Sequence, residues 1–397
     1  MRAHVLTLLA LALWSCQKQP IPTPSPTSPA DYAFQDVRGP KVDQEISFYE
    51  QRCQERPTSW ADLALLANAY VAKGDVNPEF LNKGAEAARR SLKIHSKDNP
   101  EAYGALAQAA AGRGDYAACW AICQRFPDHP DLLPLGIDCL VQSGSLLLAT
   151  EWTTRYLKVE KNSCPAVTAA AKVSMLRGRD DVALQLLQSA RAQEQPQQRA
   201  TSAELRYLWG DLHLRHGRLA EARSMLSNSL KIQRRNQAAL LALARVEQRD
   251  GHPEVALQLL TEAHQFSGHP FLLVEMASIQ ESLGQTEQAQ RLRAQAEPDL
   301  AGRELARLHL DQQRPAEALA LLQAQEQVGA DWRNYQLQAR AYEALHKPKE
   351  ALNAVANALG DGYQEPDLLA QALRLAGQLK DPRAAQWDKQ LKLLKAN

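Results

Sequence analysis

The sequence predicts an all-α protein made of repeated helical hairpins, and three observations support that prediction. Aromatic residues make up only 6% of the 397 residues, whereas the helix-favouring residues Ala, Leu, Gln and Arg are abundant. Short turns that contain Gly recur between stretches whose apolar residues have helical spacing. Small residues recur at steps that are mostly 33 or 34 residues long. Two helices and two turns fit a period of that length.

The net charge of the whole molecule is close to zero and favours no strongly charged partner. Lys and Arg number 46 and Asp and Glu 45, which leaves a formal charge of +1. A nucleic-acid-binding protein needs clustered positive charge, and basic residues do not alternate with aromatic ones along this chain. We therefore expect no nucleic-acid partner, and we expect any electrostatic preference to be local.

Residues 1–15 have the features of a signal peptide. Arg2 and His4 precede an apolar run from Val5 to Trp14. That run is too short to span a bilayer, but it has the length of the apolar region of a secretion signal. The sequence therefore predicts export of the chain.

The end of this run resembles the lipobox of bacterial lipoproteins. It reads Leu13-Trp14-Ser15-Cys16 and is followed by a polar linker. The resemblance implies that Cys16 is acylated and becomes the mature N-terminus; the alternative is cleavage by the general signal peptidase. Gln17 after the cysteine implies, by the sorting tendency of that family, the outer membrane of a Gram-negative-like cell. We expect a lipid-anchored protein of the bacterial envelope that faces the periplasm.

Residues 16–40 form a tether that begins with the lipidated cysteine. Thr and Ser alternate with proline, and apolar residues are few before Tyr32. A chain of this composition is a semi-rigid spacer, with about 3.1 Å per residue in the polyproline II form. The prolines are Pro20, Pro22, Pro24, Pro26, Pro29 and Pro40.

The repeated elements are most regular from residue 57 onward. Each turn between two helices contains one of the glycines Gly74, Gly114, Gly144, Gly178, Gly217, Gly251 and Gly284. Second helices are predicted to place a small residue at the hairpin crossing: Ala149, Ala183, Ala222, Ala256, Ala289, Ala318, Ala351 and Ala385. First helices do the same with Ala171, Gly210, Ala244, Ala277, Ala306 and Ala339. Proline, which is tolerated in a first turn, is predicted to begin four second helices, at Pro253, Pro315, Pro348 and Pro382.

The unit from Leu243-Ala244 through Gly251 to Ala256 and Ala263 resembles the tetratricopeptide repeat, a 34-residue pair of helices. The resemblance covers residues 57–397, about ten units at that period. It implies a right-handed α-solenoid of helix hairpins, with residues 41–56 assigned to a leading helix or cap. Pro196 should end a helix, so we treat the array as one solenoid with a candidate hinge near residue 195.

No motif in the chain nominates a catalytic centre. The sequence contains no Gly-rich phosphate loop, no H-E-x-x-H and no G-x-S-x-G. Its turn glycines stand between helices rather than between a strand and a helix. We expect no enzymatic activity, no cofactor and no small-molecule substrate.

Two groups of residues have the composition of a metal site, and each has a plainer interpretation that we favour. The first group is Cys119, Cys123, His129 and Cys139, which could form a zinc site. The repeat register instead places Cys119 and Cys123 in the core, where they would be buried packing residues or part of a disulfide. The cysteine spacing does not assign a disulfide pairing. The second is interpreted as polar surface: His213, His216, His252, His264 and His269. We expect no bound metal.

The resemblance also implies a partner-binding surface. In this family the first helices line the inner wall, including the position just after the small residue. The cations at and around that position are Lys172, Arg215, Arg245, Arg249, Arg303, Arg307 and Arg340, with Asp211 and Ser278 in the same stripe. Such a row could bind an acidic segment or a C-terminal carboxylate. The alternative is a solvated face with internally paired charges, because Asp211, Glu281, Asp311 and Glu343 lie close in the same register.

These features together favour a protein that binds another protein at the membrane. The resemblance implies an interaction scaffold or assembly factor of the bacterial cell envelope, for example in pilus or secretin assembly, outer-membrane protein insertion or polysaccharide export. One alternative is a regulatory or non-catalytic subunit of a peptidoglycan or polysaccharide enzyme complex. Another is a soluble adaptor of the same repeat type.

Overall fold

The computed structural model describes residues 38–74, 77, 79–300, 302–329, 332–360 and 366–396. The predicted signal peptide, Cys16 and most of the tether lie outside these residues. The described part of the chain contains α-helices, one short 3-10 helix (Glu297–Asp299) and no β-strand. None of the described helices combines the length and the apolar character that crossing a bilayer requires.

The described α-helices number 21, and they follow one another with short connections. They are α1 (Arg38–Glu55), α2 (Trp60–Gly74), α3 (Glu79–Ile94), α4 (Pro100–Gly112), α5 (Tyr116–Cys123), α6 (Leu132–Gln142), α7 (Leu146–Val159), α8 (Cys164–Leu176), α9 (Asp180–Ala192), α10 (Arg199–Arg215), α11 (Leu219–Ile232), α12 (Gln237–Arg249), α13 (Pro253–Ser267), α14 (Phe271–Ser282), α15 (Thr286–Ala296), α16 (Gly302–Asp311), α17 (Pro315–Gly329), α18 (Trp332–Ala344), α19 (Pro348–Gly360), α20 (Pro366–Leu379) and α21 (Ala384–Ala396).

From α2 onward the described helices pair into ten hairpins, numbered here 1 to 10, each with an even-numbered first helix and an odd-numbered second helix. Consecutive helices pack on one another along the whole array. First helices also contact the first helix of the next hairpin, as α6 does with α8 and α8 with α10, whereas no two successive second helices of the described chain make comparably extensive contact. The array therefore curves with its first helices on the inner side. This is an all-α solenoid of helical hairpins, as the sequence predicts.

The small residues lie at the hairpin crossings as the period predicts. Seven of the eight predicted second-helix alanines, from Ala149 to Ala351, have no exposed surface, and the six predicted first-helix residues are all buried. Gly210 shows why size matters, because a Cβ atom there would lie only 2.6 Å from Cγ of Leu226 on the facing helix. A side chain at such a position would push the two helices of a hairpin apart.

The last hairpin departs from the predicted register. Ala385 is exposed, and Trp387 fills the buried position of α21 instead. Pro382 lies in the turn rather than at the first position of the helix. The reason is local: the Asp381 carboxylate accepts a hydrogen bond from the backbone N–H of Arg383 at 2.9 Å, and the helix begins only after that turn. The prediction for Pro382 and Ala385 was therefore wrong, whereas Pro253, Pro315 and Pro348 do begin second helices.

The turns within the last three hairpins lack the glycine found in earlier turns, because other residues adopt the same left-handed conformation there. Gly251 has a φ of 83° in the turn between α12 and α13, a conformation that glycine adopts without strain. The corresponding turns of hairpins 8, 9 and 10 use Gln313, His346 and Lys380, with φ values of 61°, 58° and 55°. The backbone conformation is thus retained where the glycine is not.

The 34-residue period does not predict the start of the leading helix or the structure of the linker near residue 195. Helix α1 begins at Arg38, earlier than the predicted residue 41, and accommodates Pro40 in its first turn, where backbone N–H groups have no helical partner. Helix α9 ends at Ala192, before Pro196, as predicted. One apolar cluster, which includes Ala171, Leu187 and Leu205, nevertheless continues across this linker from α8 to α10.

Candidate functional site

The predicted partner-binding cations all lie on first helices, which form the inner side of the array. Lys172 is on α8, Arg215 on α10, Arg245 and Arg249 on α12, Arg303 and Arg307 on α16, and Arg340 on α18. The residues of these helices that face the same side, together with their acidic partners, are called the inner face below. Arg303 is half-buried near the start of α16.

Lys172 joins three successive first helices. Its ammonium group lies 2.8 Å from Oδ1 of Asp138 on α6 and 3.0 Å from Oε1 of Glu204 on α10. Burial disfavours the charged form of Lys172, but the two carboxylates outweigh that effect and raise its pKa above the usual value for lysine. Lys172 therefore stays protonated, and its charge is balanced within the inner face.

Glu275 repeats this arrangement with the opposite sign. Oε1 of this residue on α14 lies 3.2 Å from a guanidinium nitrogen of Arg245 on α12 and 3.1 Å from one of Arg307 on α16. The guanidinium of Arg307 also lies over the ring of Phe271, 4.9 Å from its centroid. Three successive first helices again converge on one charged group.

The same pattern continues toward the C-terminus. Arg340 on α18 lies 3.2 Å from Oδ1 of Asp311 on α16. Glu343, also on α18, pairs with Arg374 on α20 and accepts a hydrogen bond of 2.6 Å from the Gln371 amide. We call this series of ion pairs, from Asp138 on α6 to Arg374 on α20, the charge ladder.

Two arginines bind backbone instead of carboxylates on the neighbouring helix. Arg215 donates to the carbonyl of Met175 at 3.2 Å, and Arg249 donates to the carbonyl of Leu214 at 3.1 Å. Both carbonyls lie in the last turn of the preceding first helix, where each also accepts a hydrogen bond of 3.1 Å from a turn glycine, Gly178 or Gly217, and carries partial negative charge. Arg215 also pairs with Asp211 of its own helix at 3.0 Å.

Internal pairing, the alternative left open by the sequence, is thus what the structure shows for most of these cations. The predicted acids take part: Asp211 and Asp311 pair with predicted cations, whereas Glu281 pairs with Arg293 and Glu343 with Arg374. The cations remain partly accessible, with side-chain exposures from 23% at Lys172 to 47% at Arg340. Ion pairs this exposed contribute only about 0–1 kcal/mol each, so an acidic ligand can compete for them at little cost.

The sequence analysis missed several members of the charge ladder. Asp138 and Arg374 lie 34 residues from Lys172 and Arg340, so the period itself could have identified them. Glu204 and Glu275 do not follow the predicted crossing residues Gly210 and Ala277, so the predicted register did not identify them. Tyr207, near Asp211 and Arg215, was also missed; burial and the Asp211 carboxylate raise its pKa to about 12.

The cysteine and histidine groups make separate contacts. A disulfide between Cys119 and Cys139 joins α5 to α6, so these sulfur atoms are not free to hold zinc. Cys123 is fully buried, and burial raises the pKa of its thiol to about 12. His216 lies 2.9 Å from Asp180, and His252 lies 3.3 Å from Glu247. Within the described ranges, no group of three or more His, Cys, Asp or Glu side chains is arranged to hold a metal ion.

Comparisons with known proteins give a likeness of fold. No protein-family model and no curated protein matches the sequence. Human IFIT1, solved as a dimer with m7Gppp-AAAA, is 14% identical over 80% of this chain and 77% of its own, with a TM-score of 0.54. Cut9, from an APC/C heterotetramer with Hcn1, is 14% identical over 84% of this chain and 74% of its own, with a TM-score of 0.45. TTC0263, a TPR protein of Thermus thermophilus, is 20% identical over 48% of this chain and 100% of its own, with a TM-score of 0.41. The likeness to IFIT1 concerns the fold alone; together with the ten hairpins and their buried small residues, it identifies the described part of this chain as an all-α solenoid of helical hairpins.

Proposed function

We propose that this protein is a lipid-anchored interaction scaffold or assembly factor of the bacterial cell envelope, whose inner face binds another protein. The observation that carries the binding role is the charge ladder, whose cations line one side of a curved array and stay partly exposed: Lys172, Arg245, Arg307, Arg340 and Arg374. An array of hairpins offers a long surface on which a partner can make many such contacts.

The chemistry of the inner face favours a partner with an acidic segment or a free C-terminal carboxylate. Glu275 shows how a carboxylate binds there, because a single oxygen reaches both Arg245 and Arg307. A partner carboxylate can take the same position, and guanidinium groups bind carboxylates with two parallel hydrogen bonds in a way that lysine cannot. The arginines of the charge ladder can therefore bind a partner's carboxylate in the same way that they bind Glu275.

The membrane role rests on the sequence of the first forty residues and on the cysteine chemistry. An acylated Cys16 would anchor the chain, because each buried methylene contributes about 0.8 kcal/mol. The proline-rich sequence between Cys16 and the solenoid has the composition of a semi-rigid spacer. The Cys119–Cys139 disulfide is compatible with an oxidising compartment such as the periplasm, since disulfides are rare in the cytosol.

Two experiments test the two halves of the proposal. For the anchor, cells are labelled with palmitate: the parent should carry label in the membrane fraction, and Cys16→Ala should carry none. Labelling that survives this substitution, or normal processing with unchanged membrane partition, would refute the anchor.

For the partner, the detergent-extracted protein is purified and the proteins bound to it are identified by mass spectrometry. The variant Arg245→Gln/Arg307→Gln/Arg340→Gln should lose its specific partner. A matched control removes three exposed cations away from the ladder, Arg234, Arg291 and Lys392, and should keep the partner. Equal capture by both variants at low salt would show that the partner binds elsewhere. Activity of the purified complex on murein or polysaccharide would favour the enzyme-subunit alternative.

A further inference from the structure

Arg333 makes a contact that the repeat pattern does not predict. Its guanidinium, at the start of α18, donates hydrogen bonds to the backbone carbonyls of Val141 at 2.6 Å and Gln142 at 2.8 Å, and to Oε1 of Gln142 at 3.1 Å. The residues that it joins are 191 or 192 positions apart in the sequence. The two carbonyls end α6, and a cation is stabilised there because the last turn of a helix carries partial negative charge.

An apolar contact accompanies these hydrogen bonds. Trp332, the neighbour of Arg333, is only 8% exposed. It belongs to one continuous apolar cluster that contains Leu140 and Val141 at the end of α6 and also the core residues of hairpins 9 and 10. The cores of two distant parts of the array are therefore joined into one.

The position of this contact shows that the array completes a full turn. Helix α6 is the first helix of hairpin 3, and α18 is the first helix of hairpin 9, six hairpins later. The C-terminal end of one first helix meets the N-terminal end of another, so opposite edges of the curved ribbon are in contact. One superhelical turn is thus stacked on the next.

A turn of six hairpins leaves little room inside. Packed helices lie about 8–10 Å apart, so six first helices in a ring surround an opening on the order of 10 Å, or somewhat more because α14 contacts α12 and α16 less extensively than the other first helices contact their neighbours. A folded domain does not enter an opening of that size.

We propose that Trp332 and Arg333 form a clasp that holds one superhelical turn closed on the end of α6, and that release of this clasp is the step that opens the inner face to a bulky partner. The closed form admits only slender ligands along the axis of the turn. Because the hydrogen bonds from Arg333 to the end of α6 run between hairpins rather than within one, they can separate without unfolding a hairpin. The proposal concerns the shape of the array and does not depend on which protein binds.

The first test measures shape. Small-angle X-ray scattering of Arg333→Ala should give a larger radius of gyration than the parent, because the turn opens when its fastening is removed. Lys349→Ala is the matched control, since it removes one exposed positive charge from the adjacent helix α19 and should leave the radius unchanged. Arg333→Lys, which keeps the charge but loses the planar fork, should fall between the two. Circular dichroism verifies that each variant is helical, and if Arg333→Ala is not, Arg333→Lys is compared with the parent in its place.

The second test measures access to the inner face. Ser278 is an exposed residue on the inner side of α14, and Ser278→Cys supplies a thiol there. The rates of its modification by N-ethylmaleimide and by a maleimide on a bulky polyethylene glycol are compared by mass spectrometry of the peptide that contains it. Adding Arg333→Ala should raise the rate of the bulky reagent several-fold and leave that of the small one unchanged. An unchanged radius of gyration, or a ratio of the two rates that does not respond to Arg333→Ala, would overturn the clasp.

Discussion

The carboxylate of Glu194 and the guanidinium of Arg206 form an ion pair that is almost completely buried, with side-chain exposures of 3% and 6%. A second contact, from Nη2 of Arg206 to Oε2 of Glu194, measures 3.1 Å. Arg206 also donates to the carbonyl of Ser202 at 2.9 Å. The pair fastens the linker after α9 to the side of α10.

Breaking this buried pair from one side should be costly. Glu194→Ala leaves the Arg206 charge buried without its carboxylate, and loss of one partner of a buried pair costs about 3–5 kcal/mol. The double variant Glu194→Ala/Arg206→Met removes both charges and should recover most of that loss. The thermal unfolding midpoint measures both effects; a double variant that is no more stable than Glu194→Ala would contradict this reasoning.

The crossing of hairpin 6 should tolerate no larger side chain. Ala256 has no exposed surface, and Ala256→Leu should lower the free energy of unfolding by about 1–3 kcal/mol through overpacking. Ala385→Leu is the control, because Ala385 occupies the same nominal position in the last hairpin but is exposed. Its effect should stay within about 0.5 kcal/mol. Similar urea unfolding midpoints for the two variants would mean that the crossing does not depend on small residues.

Acid should remove the stabilisation that Glu247 provides. Hydrogen bonds from Arg223, at 2.6 and 2.9 Å, together with its charge lower the pKa of Glu247 below its usual value, although burial opposes them. A carboxyl group with a lowered pKa stabilises the folded state fully above its unfolded pKa of about 4.3 and loses that contribution as the pH falls through its folded pKa. Arg223→Gln should therefore flatten the loss of thermal stability below about pH 4.3.

The matched control for this pH profile is Arg291→Gln, which removes an equal charge from a side chain that is 76% exposed. Its profile should follow that of the parent. If Arg223→Gln also followed the parent, the pair with Glu247 would not contribute to acid sensitivity.

The disulfide between α5 and α6 should be stabilising. It closes a loop with a sequence separation of 20 residues, for which the loss of chain entropy in the unfolded state corresponds to about 3 kcal/mol. Dithiothreitol should lower the thermal midpoint of the parent but not that of Cys119→Ser/Cys139→Ser. A parent midpoint that does not respond to the reductant would show that this bond is absent or without effect on stability.

Local regularities made much of the fold predictable. Ala256 and Ala289 were placed at hairpin crossings from their spacing alone, because each small residue packs against a helix that lies within the same period of the chain. The same reasoning failed at Ala385, where the hydrogen bond from the Arg383 N–H to the Asp381 carboxylate sets the start of the helix instead. The prediction that the inner cations lie on first helices agrees with the structure, but their role in binding a partner stays a prediction.

What the sequence determined by itself is therefore the hairpin, its turns and its buried face, since all of these depend on contacts between residues about one repeat apart. The tertiary structure alone decided which charges meet. Arg333 reaches the end of α6 only because a small rotation at each hairpin accumulates over six hairpins. That rotation results from the packing of many side chains together, so no single motif or period records it, and residues 191 positions apart become neighbours without any sign in the sequence.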